Sequence, residues 1–387
     1  MLATRRFILA SSAFGAMALT VPAAAQAASD KRLFVIILRG GMDGLAAVPP
    51  VSDPDFTRLR GVAAGALSLD QTFSLHAALP KLHAMYAAGD ALPIQACATA
   101  YRDRSHFDAQ NMLETGADHP FARPQGWLNA ALANLAPARK TGRREIGVAL
   151  SEQAPLILRG AAPVATWSQS NLPDVAGDTV TRLMDLYRHN DPALAHALDN
   201  ALATNAMAAD AGPMDAGNGR NAAALMRVAA TFLKDPNGPV AAMMDLGGWD
   251  THANEVGVLT RNLTQLDNGL DAFKTDMGPK WRDTVVIIAT EFGRTAALNG
   301  ASGADHGTGA AAFLVGGAVN GGRVLADWPG LSPSTLYQNR DVRPTTDLRA
   351  VLKGVLSDHL QISDSALSNA VFAGAANVRA TPGLIRA

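Results

Sequence analysis

The sequence predicts an α/β fold in which helices cover both faces of a mostly parallel central sheet. Five short runs are continuously apolar, a pattern typical of parallel strands that are buried on both faces. Amphipathic helical patterns lie between them, including an apolar stripe that runs from Leu259 to Phe273. Strands that alternate with such helices indicate this fold class. The predicted strands cover residues 33–38, 92–96, 240–246, 284–289 and 311–315.

The first 27 residues have the order of a cleavable signal peptide. Arg5 and Arg6 precede an uncharged apolar run, which is followed by small residues and an Ala-x-Ala site. The paired arginines favour the twin-arginine route, although Phe7 follows them without the usual intervening residue. The apolar run is shorter than the ~20 residues that span a bilayer. We therefore expect cleavage after Ala27, or after Ala25, and no stable membrane anchor.

Export by this route predicts a transient contact with the twin-arginine translocase and a periplasmic or secreted protein. Residues 28–387 are predicted to form one α/β domain with a surface insertion near 205–221. Loss of the two signal arginines changes the formal net charge from −1 to −3, which leaves no electrostatic footprint for nucleic acid. Cys97 is the single cysteine, so no internal disulfide can form, and its apolar neighbours predict a buried structural thiol.

Polar side chains follow the ends of the predicted strands. Ligand sites of open α/β sheets lie beyond the carboxyl ends of their strands, so we expect these side chains to converge. Crowded carboxylates repel one another unless a cation compensates them. Asp and His together suit zinc, manganese or iron, and an all-oxygen subset suits magnesium or calcium. Each Asp taken alone also fits a turn, and His252 alone also fits a buried core position. The candidate ligands are Asp43, Asp250, His252, Glu291, Asp305 and His306.

A second group of candidates lies in the segment 101–110, between a predicted strand and a predicted helix. Ser105 fits a helix cap. It equally fits a nucleophile, because a helix N-terminus stabilises negative charge. Arg104 fits a phosphate or sulfate ligand, and also an exposed loop arginine. His106 fits a base, a metal ligand or a core residue, and the sequence does not separate these roles.

These motifs together resemble the bacterial exported family called domain of unknown function 1501. The resemblance runs in the same order over nearly the whole mature chain. It implies a fold similar to the alkaline phosphatase and sulfatase superfamily, which is a three-layer α/β/α sandwich with a metal site at the sheet edge. The motifs are Leu-Arg-Gly-Gly-Met-Asp-Gly at 38–44, Arg-Ser-His-Phe-Asp-Ala-Gln at 104–110, Gly-Gly-Trp-Asp-Thr-His at 247–252, Thr-Glu-Phe-Gly-Arg-Thr at 290–295 and Asp-His-Gly-Thr-Gly at 305–309.

The resemblance also implies roles for single residues. Asp43 matches the metal ligand after the first strand, and Ser105 matches the nucleophile. Asp250 and His252 match a ligand pair, although their spacing is shorter than the phosphatase pattern. Glu291 stands where the Asp of an Asp-His pair is expected, and His306 matches the late histidine ligand. Phe292 occupies the place of the histidine of that pair, which removes one ligand from a two-metal centre.

Our leading hypothesis from the sequence is an exported metal-dependent hydrolase of phosphate or sulfate esters, with a small-molecule or polymer ester as substrate. Ser105 would attack phosphorus or sulfur, and Arg104 or Arg294 would bind the equatorial oxygens. The alternative is a non-catalytic periplasmic or surface protein that keeps the fold for binding or assembly, and Phe292 favours it. A redox enzyme is disfavoured because the chain has no Cys cluster and no dinucleotide-type glycine fingerprint.

Overall fold

The computed structural model describes residues 30–135, 145–169, 175–211 and 221–386. The predicted signal peptide, residues 1–27, lies outside the described residues. The predicted insertion near 205–221 lies largely outside them too, because only its two ends are described. At the first of these ends, the chain completes the helix Pro192–Ala209.

Ten strands form two sheets in the described part of the chain. The central sheet has eight strands in the order β10-β4-β9-β8-β1-β7-β5-β6, and β2 and β3 form a separate antiparallel pair. β9 is antiparallel to β8 and β4, and the other neighbouring strands of the central sheet are parallel. The strands are β1 (Arg32–Leu38), β2 (Leu67–Ser68), β3 (Ser74–Leu75), β4 (Ala91–Ala98), β5 (Gly147–Leu150), β6 (Val164–Trp167), β7 (Ala241–Leu246), β8 (Thr284–Ala289), β9 (Ala310–Val315) and β10 (Thr346–Asp347).

Helices cover both faces of the central sheet. No helix among the described residues is long and apolar enough to cross a membrane. The α-helices are Gly44–Ala47, Phe56–Arg60, Pro80–Ala87, His106–Thr115, Trp127–Ala133, Gly177–Asn190, Pro192–Ala209, Ala222–Lys234, Glu255–Met277, Leu348–Leu360 and Asp364–Ala366.

The alternation of side chains along β1 divides the core into two layers. Leu33, Val35 and Ile37 pack on one face with side chains of the helices Trp127–Ala133 and Leu348–Leu360. Phe34, Ile36 and Leu38 pack on the other face with the helices Ala222–Lys234 and Glu255–Met277. Successive side chains of a strand point to opposite faces, so one apolar strand supplies both cores. The expected α/β/α sandwich with a mostly parallel sheet is confirmed.

All five predicted strands are present, with ends that differ from the prediction by at most two residues. Cys97 is buried in β4, as predicted, and burial raises the pKa of its thiol to about 12. A thiol with so high a pKa stays protonated at neutral pH, which is consistent with a structural role.

The reversed direction of β9 brings a late loop to the site. Since β9 is antiparallel, its first residue lies at the sheet edge where β1, β7 and β8 end. The loop before it pairs back on the segment after β8, through a bridge between Arg294 and His306. Gly40, after β1, has φ +124, and a Cβ there would lie 2.4 Å from the Asp250 nitrogen. Glycine therefore permits the close approach of the β1 and β7 loops.

Candidate metal centre

Three imidazole rings and one carboxylate meet at this edge of the sheet. Nε2 of His306 lies 3.0 Å from Nε2 of His106 and 2.9 Å from Nε2 of His252. Oδ1 of Asp250 lies 3.0 Å from Nε2 of His252 and 3.2 Å from Nε2 of His306. We call these four residues the histidine cluster. His106 begins the helix His106–Thr115, Asp250 and His252 follow β7, and His306 precedes β9.

The second nitrogen of each ring faces an oxygen that can only accept a hydrogen bond. Each Nδ1 must therefore carry the hydrogen, so in the neutral ring Nε2 presents a lone pair. The contacts of Nδ1 are His106 with Oε1 of Glu291 at 2.8 Å, His252 with Oδ1 of Asp305 at 3.0 Å, and His306 with the carbonyl oxygen of Arg104 at 3.0 Å.

Nitrogen lone pairs this close together repel one another unless a cation lies between them. The ligand atoms of His106, Asp250 and His306 all lie within 4.8 Å of one another, as a shared ion requires. Metal-binding histidines commonly donate Nδ1–H to a carboxylate or a backbone carbonyl, which fixes the tautomer and the ring orientation. The residues therefore fit a divalent ion. Imidazole and carboxylate ligands together suit zinc better than magnesium or calcium, which prefer oxygen ligands alone.

Glu291 and Asp305, two of the predicted ligands, hold imidazole rings in place. Glu291 is buried, and its Oε1 also accepts hydrogen bonds from the Gly40 nitrogen at 2.8 Å and from Gln110 at 3.0 Å. Burial opposes ionisation, but the hydrogen bonds from His106 and Gln110 outweigh it and lower the pKa of Glu291. Hydrogen bonds from Asn299 and His252 lower the pKa of Asp305. Both carboxylates are thus anionic acceptors for Nδ1–H.

The pKa values of two neighbouring histidines shift in opposite directions. The hydrogen bond to Glu291 raises the pKa of His106. Burial, together with the nearby His106, lowers the pKa of His306. Two rings whose Nε2 atoms are 3.0 Å apart do not readily carry positive charge together. A proton on one ring and a metal ion shared by both are therefore competing ways to neutralise the cluster.

Phe292 forms an apolar wall for the histidine cluster. Its ring centroid lies 4.7 Å from that of His106 and 4.9 Å from that of His306. Its neighbour Gly41 has φ +69, and a Cβ there would lie 2.6 Å from the Phe292 ring. The side chain that stands in place of a predicted ligand therefore packs against two of the cluster histidines.

Arg294 was predicted to bind substrate oxygens, but its guanidinium is buried and already engaged. Nη2 donates to Oδ1 of Asp250 at 2.6 Å. Burial raises the pKa of Asp250, but the hydrogen bond and charge of Arg294 outweigh it and keep that pKa below its usual value. Arg294 also donates to the carbonyl oxygens of Gly40, Gly41, Trp249 and Ala304, and its Nη1 lies 3.5 Å from Nε2 of His252. Arg294 thus ties together the loops that carry the cluster.

Replacement of Arg294 by Met is expected to destabilise the protein by at least about 1–3 kcal/mol, because removing this buried guanidinium leaves buried carbonyl oxygens of several loops without their donor. The free energy of unfolding from denaturant titration measures this. Arg282→Met serves as the control, because that side chain is 85% exposed and contacts only its neighbour Asp283 at 3.4 Å. Equal stability of the two variants would show that Arg294 does not hold the loops together.

In the sequence, Ser105 lies between Arg104 and His106, and both of these contribute to the site. The carbonyl oxygen of Arg104 accepts from His306, and the next residue after Ser105 is His106 of the cluster. Ser105 occupies the N-cap position of the helix His106–Thr115, yet its side chain makes no capping hydrogen bond. Its hydroxyl is therefore not committed to the helix, in contrast to the predicted capping role.

Arg104 contributes to the site mainly through its backbone. It has φ +63, a left-handed conformation that is uncommon for a residue with a side chain. Its guanidinium pairs with the buried Asp341, 2.7 Å from Nη2, and also donates to Gln338. The predicted role of Arg104 in binding substrate oxygens competes with these bonds.

Asp43 lies in a different cluster. Its Oδ1 accepts from the nitrogens of Leu45 and Ala46, so it caps the helix Gly44–Ala47. Its Oδ2 pairs with Arg60 at 2.6 Å. Burial and the charge of Asp43 raise the pKa of the nearby Glu255 to about 8. Both oxygens of Asp43 are thus occupied by the fold, and its predicted role as a ligand has no support in these contacts.

Two residues of the site, Gln110 and Asn299, were not predicted from the sequence. Gln110 supports Glu291, and Asn299 donates to Oδ1 of Asp305 at 3.0 Å. Gln110 lies four residues after His106, so the two share one helix face, and that spacing was a readable signal. Asn299 lies in a loop, where no sequence period marks it.

A cleft of about 640 Å³ opens at the carboxyl ends of β5 and β7. Its lining combines apolar and polar side chains and includes Leu150, Ser151, Asp245, Trp249, Arg261 and Gln265. Trp249 is next to Asp250 in the sequence, but none of the four cluster residues lines this cleft.

A family profile described as "Protein of unknown function (DUF1501)" matches residues 98–371, which is more than half of the chain. The chain belongs to this family. The resemblance seen in the motifs is therefore confirmed. Three of these motifs, at 104–110, 247–252 and 305–309, contain all four residues of the histidine cluster. No curated protein matches the chain in sequence.

Several solved structures are similar to this DUF1501 chain at low identity. The zinc complex of the C-terminal periplasmic domain of EcEptC from Escherichia coli has 8% identity and a TM-score of 0.37. The match covers 74% of this chain and 72% of the EcEptC chain. The lipoteichoic acid synthase LtaP from Listeria monocytogenes has 11% identity and a TM-score of 0.39, with coverage of 89% and 76%. The phosphonate monoester hydrolase of Agrobacterium radiobacter has 12% identity and a TM-score of 0.36, with coverage of 76% and 70%.

Proposed function

We propose that this protein is an exported metal-dependent hydrolase of phosphate or sulfate esters. The observation that carries the proposal is the convergence of three imidazole Nε2 atoms whose Nδ1 atoms all face hydrogen-bond acceptors. His106, His252, His306 and Asp250 would hold one divalent ion, with zinc the ion that this donor set favours. When bound, the ion would neutralise charge on the group that is transferred.

Ser105 is the proposed nucleophile. Its oxygen forms a bond to phosphorus or sulfur while the bond to the ester oxygen breaks, and the alcohol leaves with the proton that Ser105 has lost. Water then cleaves the seryl ester, which releases phosphate or sulfate and restores the hydroxyl. The N-terminus of the helix His106–Thr115 favours the negative charge that develops at this position.

Export is part of the same proposal. Residues 1–27 would direct the folded chain to the twin-arginine translocase and be removed after Ala27. Because this route carries folded proteins, the ion could enter before export. The mature protein would then act in the periplasm or outside the cell.

A native preparation of the exported protein tests the proposal. We expect an N-terminus at Ala28 by mass spectrometry, about one zinc ion per chain by elemental analysis, and hydrolysis of p-nitrophenyl phosphate or p-nitrophenyl sulfate. A chelator should abolish the hydrolysis, and added zinc should restore it. Hydrolysis that survives complete removal of metal would contradict the metal-dependent mechanism.

The alternative function is a non-catalytic protein that binds a ligand through the same fold. Phe292 favours it, because an apolar ring packs against the cluster where a further ligand was expected. A protein that holds its ion tightly but hydrolyses neither ester would support this alternative. A protein that carries no metal would count against the hydrolase and would favour this alternative.

A further inference from the structure

Arg340 contacts the backbone of the histidine cluster. Its Nη1 donates to the carbonyl oxygen of His306 at 2.9 Å and to Oδ1 of Asp341 at 3.1 Å. Its Nε and Nη2 have no hydrogen-bond partner among the described residues, and its side chain is 42% exposed. By contrast, Arg104 uses Nε and Nη2 on Asp341 and Gln338, and Arg294 is fully buried. Of these three arginines, Arg340 is the most exposed and the one whose Nε and Nη2 are both left for a ligand.

The backbone holds Arg340 in one place. The Arg340 nitrogen donates to the carbonyl oxygen of Tyr337 at 3.1 Å, which closes a four-residue turn. The two central residues, Gln338 and Asn339, have φ +53 and +54, as a type I′ turn requires. Left-handed residues with side chains persist only where the surroundings enforce them. The carbonyl oxygen of Arg340 also accepts from the Ala296 nitrogen at 2.9 Å, which ties the turn to the segment after Arg294.

Arg340 also lines a cavity of about 240 Å³ beside the cluster. Asp305, the acceptor for His252, lines the same cavity and connects it to the cluster. Asp305 is itself an anionic carboxylate in this lining, and its Oδ1 accepts from His252 and Asn299. The cavity is large enough for a tetrahedral anion, whose charge Arg340 would have to stabilise against that of Asp305.

We infer that Arg340 binds the anionic oxygens of the substrate beside the histidine cluster. The inference rests on the proposed ester hydrolysis and names the residue that would recognise the acid part of the ester. A guanidinium fork forms two parallel charge-assisted hydrogen bonds to phosphate or sulfate, which an ammonium or an amide cannot reproduce. Arg340 takes the role that the sequence had assigned to Arg104 or Arg294.

The inference is tested by the binding of inorganic phosphate and of inorganic sulfate to the metal-loaded full-length mature protein. Isothermal titration calorimetry should show that Arg340→Gln weakens binding of at least one of these anions about tenfold or more, because two charge-assisted bonds are lost. Arg340→Lys should recover part of the loss. Arg343→Gln is the matched control, because Arg343 is exposed and donates only to the carbonyl oxygens of Thr335 and Leu336.

Elemental analysis accompanies the titration, since Arg340 also contacts His306. Unchanged metal content in Arg340→Gln with weakened anion binding supports the inference, even if no ester is hydrolysed and the proposed function fails. Anion binding equal to that of Arg343→Gln overturns it, even if hydrolysis by the wild-type protein upholds the proposed function. Loss of metal from Arg340→Gln, or a wild-type protein that binds neither anion, also overturns it.

Discussion

Replacement of His306 by Ala is expected to lower the metal affinity of the protein by at least about 100-fold and to abolish ester hydrolysis with it. His306 is central to the cluster, because its Nε2 lies within 3.0 Å of Nε2 of both other histidines. Its loss leaves His106 and His252 without the ligand that links them. Competition with a chelator of known affinity measures the metal affinity, and elemental analysis measures occupancy.

The matched control is His119→Ala, because that imidazole is exposed and pairs only with the neighbouring Asp118. A ligand that binds only the folded state raises its stability. Chelation should therefore lower the melting temperature of the wild-type and His119→Ala proteins, but leave that of His306→Ala unchanged. Wild-type metal affinity in His306→Ala would show that the three imidazoles do not form the site.

The sequence predicted the centre of the sheet better than its edges. The five predicted strands are long apolar runs that are buried on both faces, and this pattern needs no tertiary information to recognise. β5, β6 and β10 of the central sheet were missed, and β6 and β10 form its two edges. β10 has two residues, and β5 and β6 have four each; only β5 is fully buried. Strands this short carry too few apolar positions to be distinguished from loops.

The location of the site was predictable because strand direction determines it. Asp250, His252 and Glu291 follow strands of a parallel sheet, so convergence at one edge followed from the fold class alone. Which carboxylate faces the Nε2 atoms and which accept hydrogen bonds from Nδ1 was not predictable. Asp250 lies among the Nε2 atoms, whereas Glu291 and Asp305 lie behind Nδ1, and this difference of a few ångströms depends on loop packing.

For Arg294 and Asp43, the contacts in the folded protein differ from those that the residue type alone suggested. The guanidinium of Arg294 is buried by carbonyl oxygens from several loops, none of which can be read from residues 290–295. Asp43 is the opposite case, since a local signal was available. An Asp that precedes a short run of helix-forming residues is a typical N-cap, and the structure places it as one.

Replacement of Ser105 by Ala is expected to reduce ester hydrolysis by about 10³-fold or more, because removal of a nucleophile removes the covalent route. The fold should be little affected, since the Ser105 side chain makes no capping hydrogen bond to its helix and the contact it loses is a single hydrogen bond with Tyr101. Metal content should also be unaffected, because none of the nitrogens and oxygens of the cluster belongs to Ser105. Steady-state kinetics, elemental analysis and thermal unfolding measure these three quantities.

A covalent intermediate gives the assignment a second, independent readout. Acid quenching of the wild-type protein during turnover of a phosphate ester should leave a phosphoryl group on the peptide that contains Ser105, detectable by mass spectrometry. Ser334→Ala is the control, because Ser334 is exposed and its hydroxyl contacts only Ser332. Hydrolysis at the wild-type rate by Ser105→Ala would exclude the nucleophile while leaving the metal centre intact. The histidine cluster would then have to act on water directly, because no seryl ester could form at position 105.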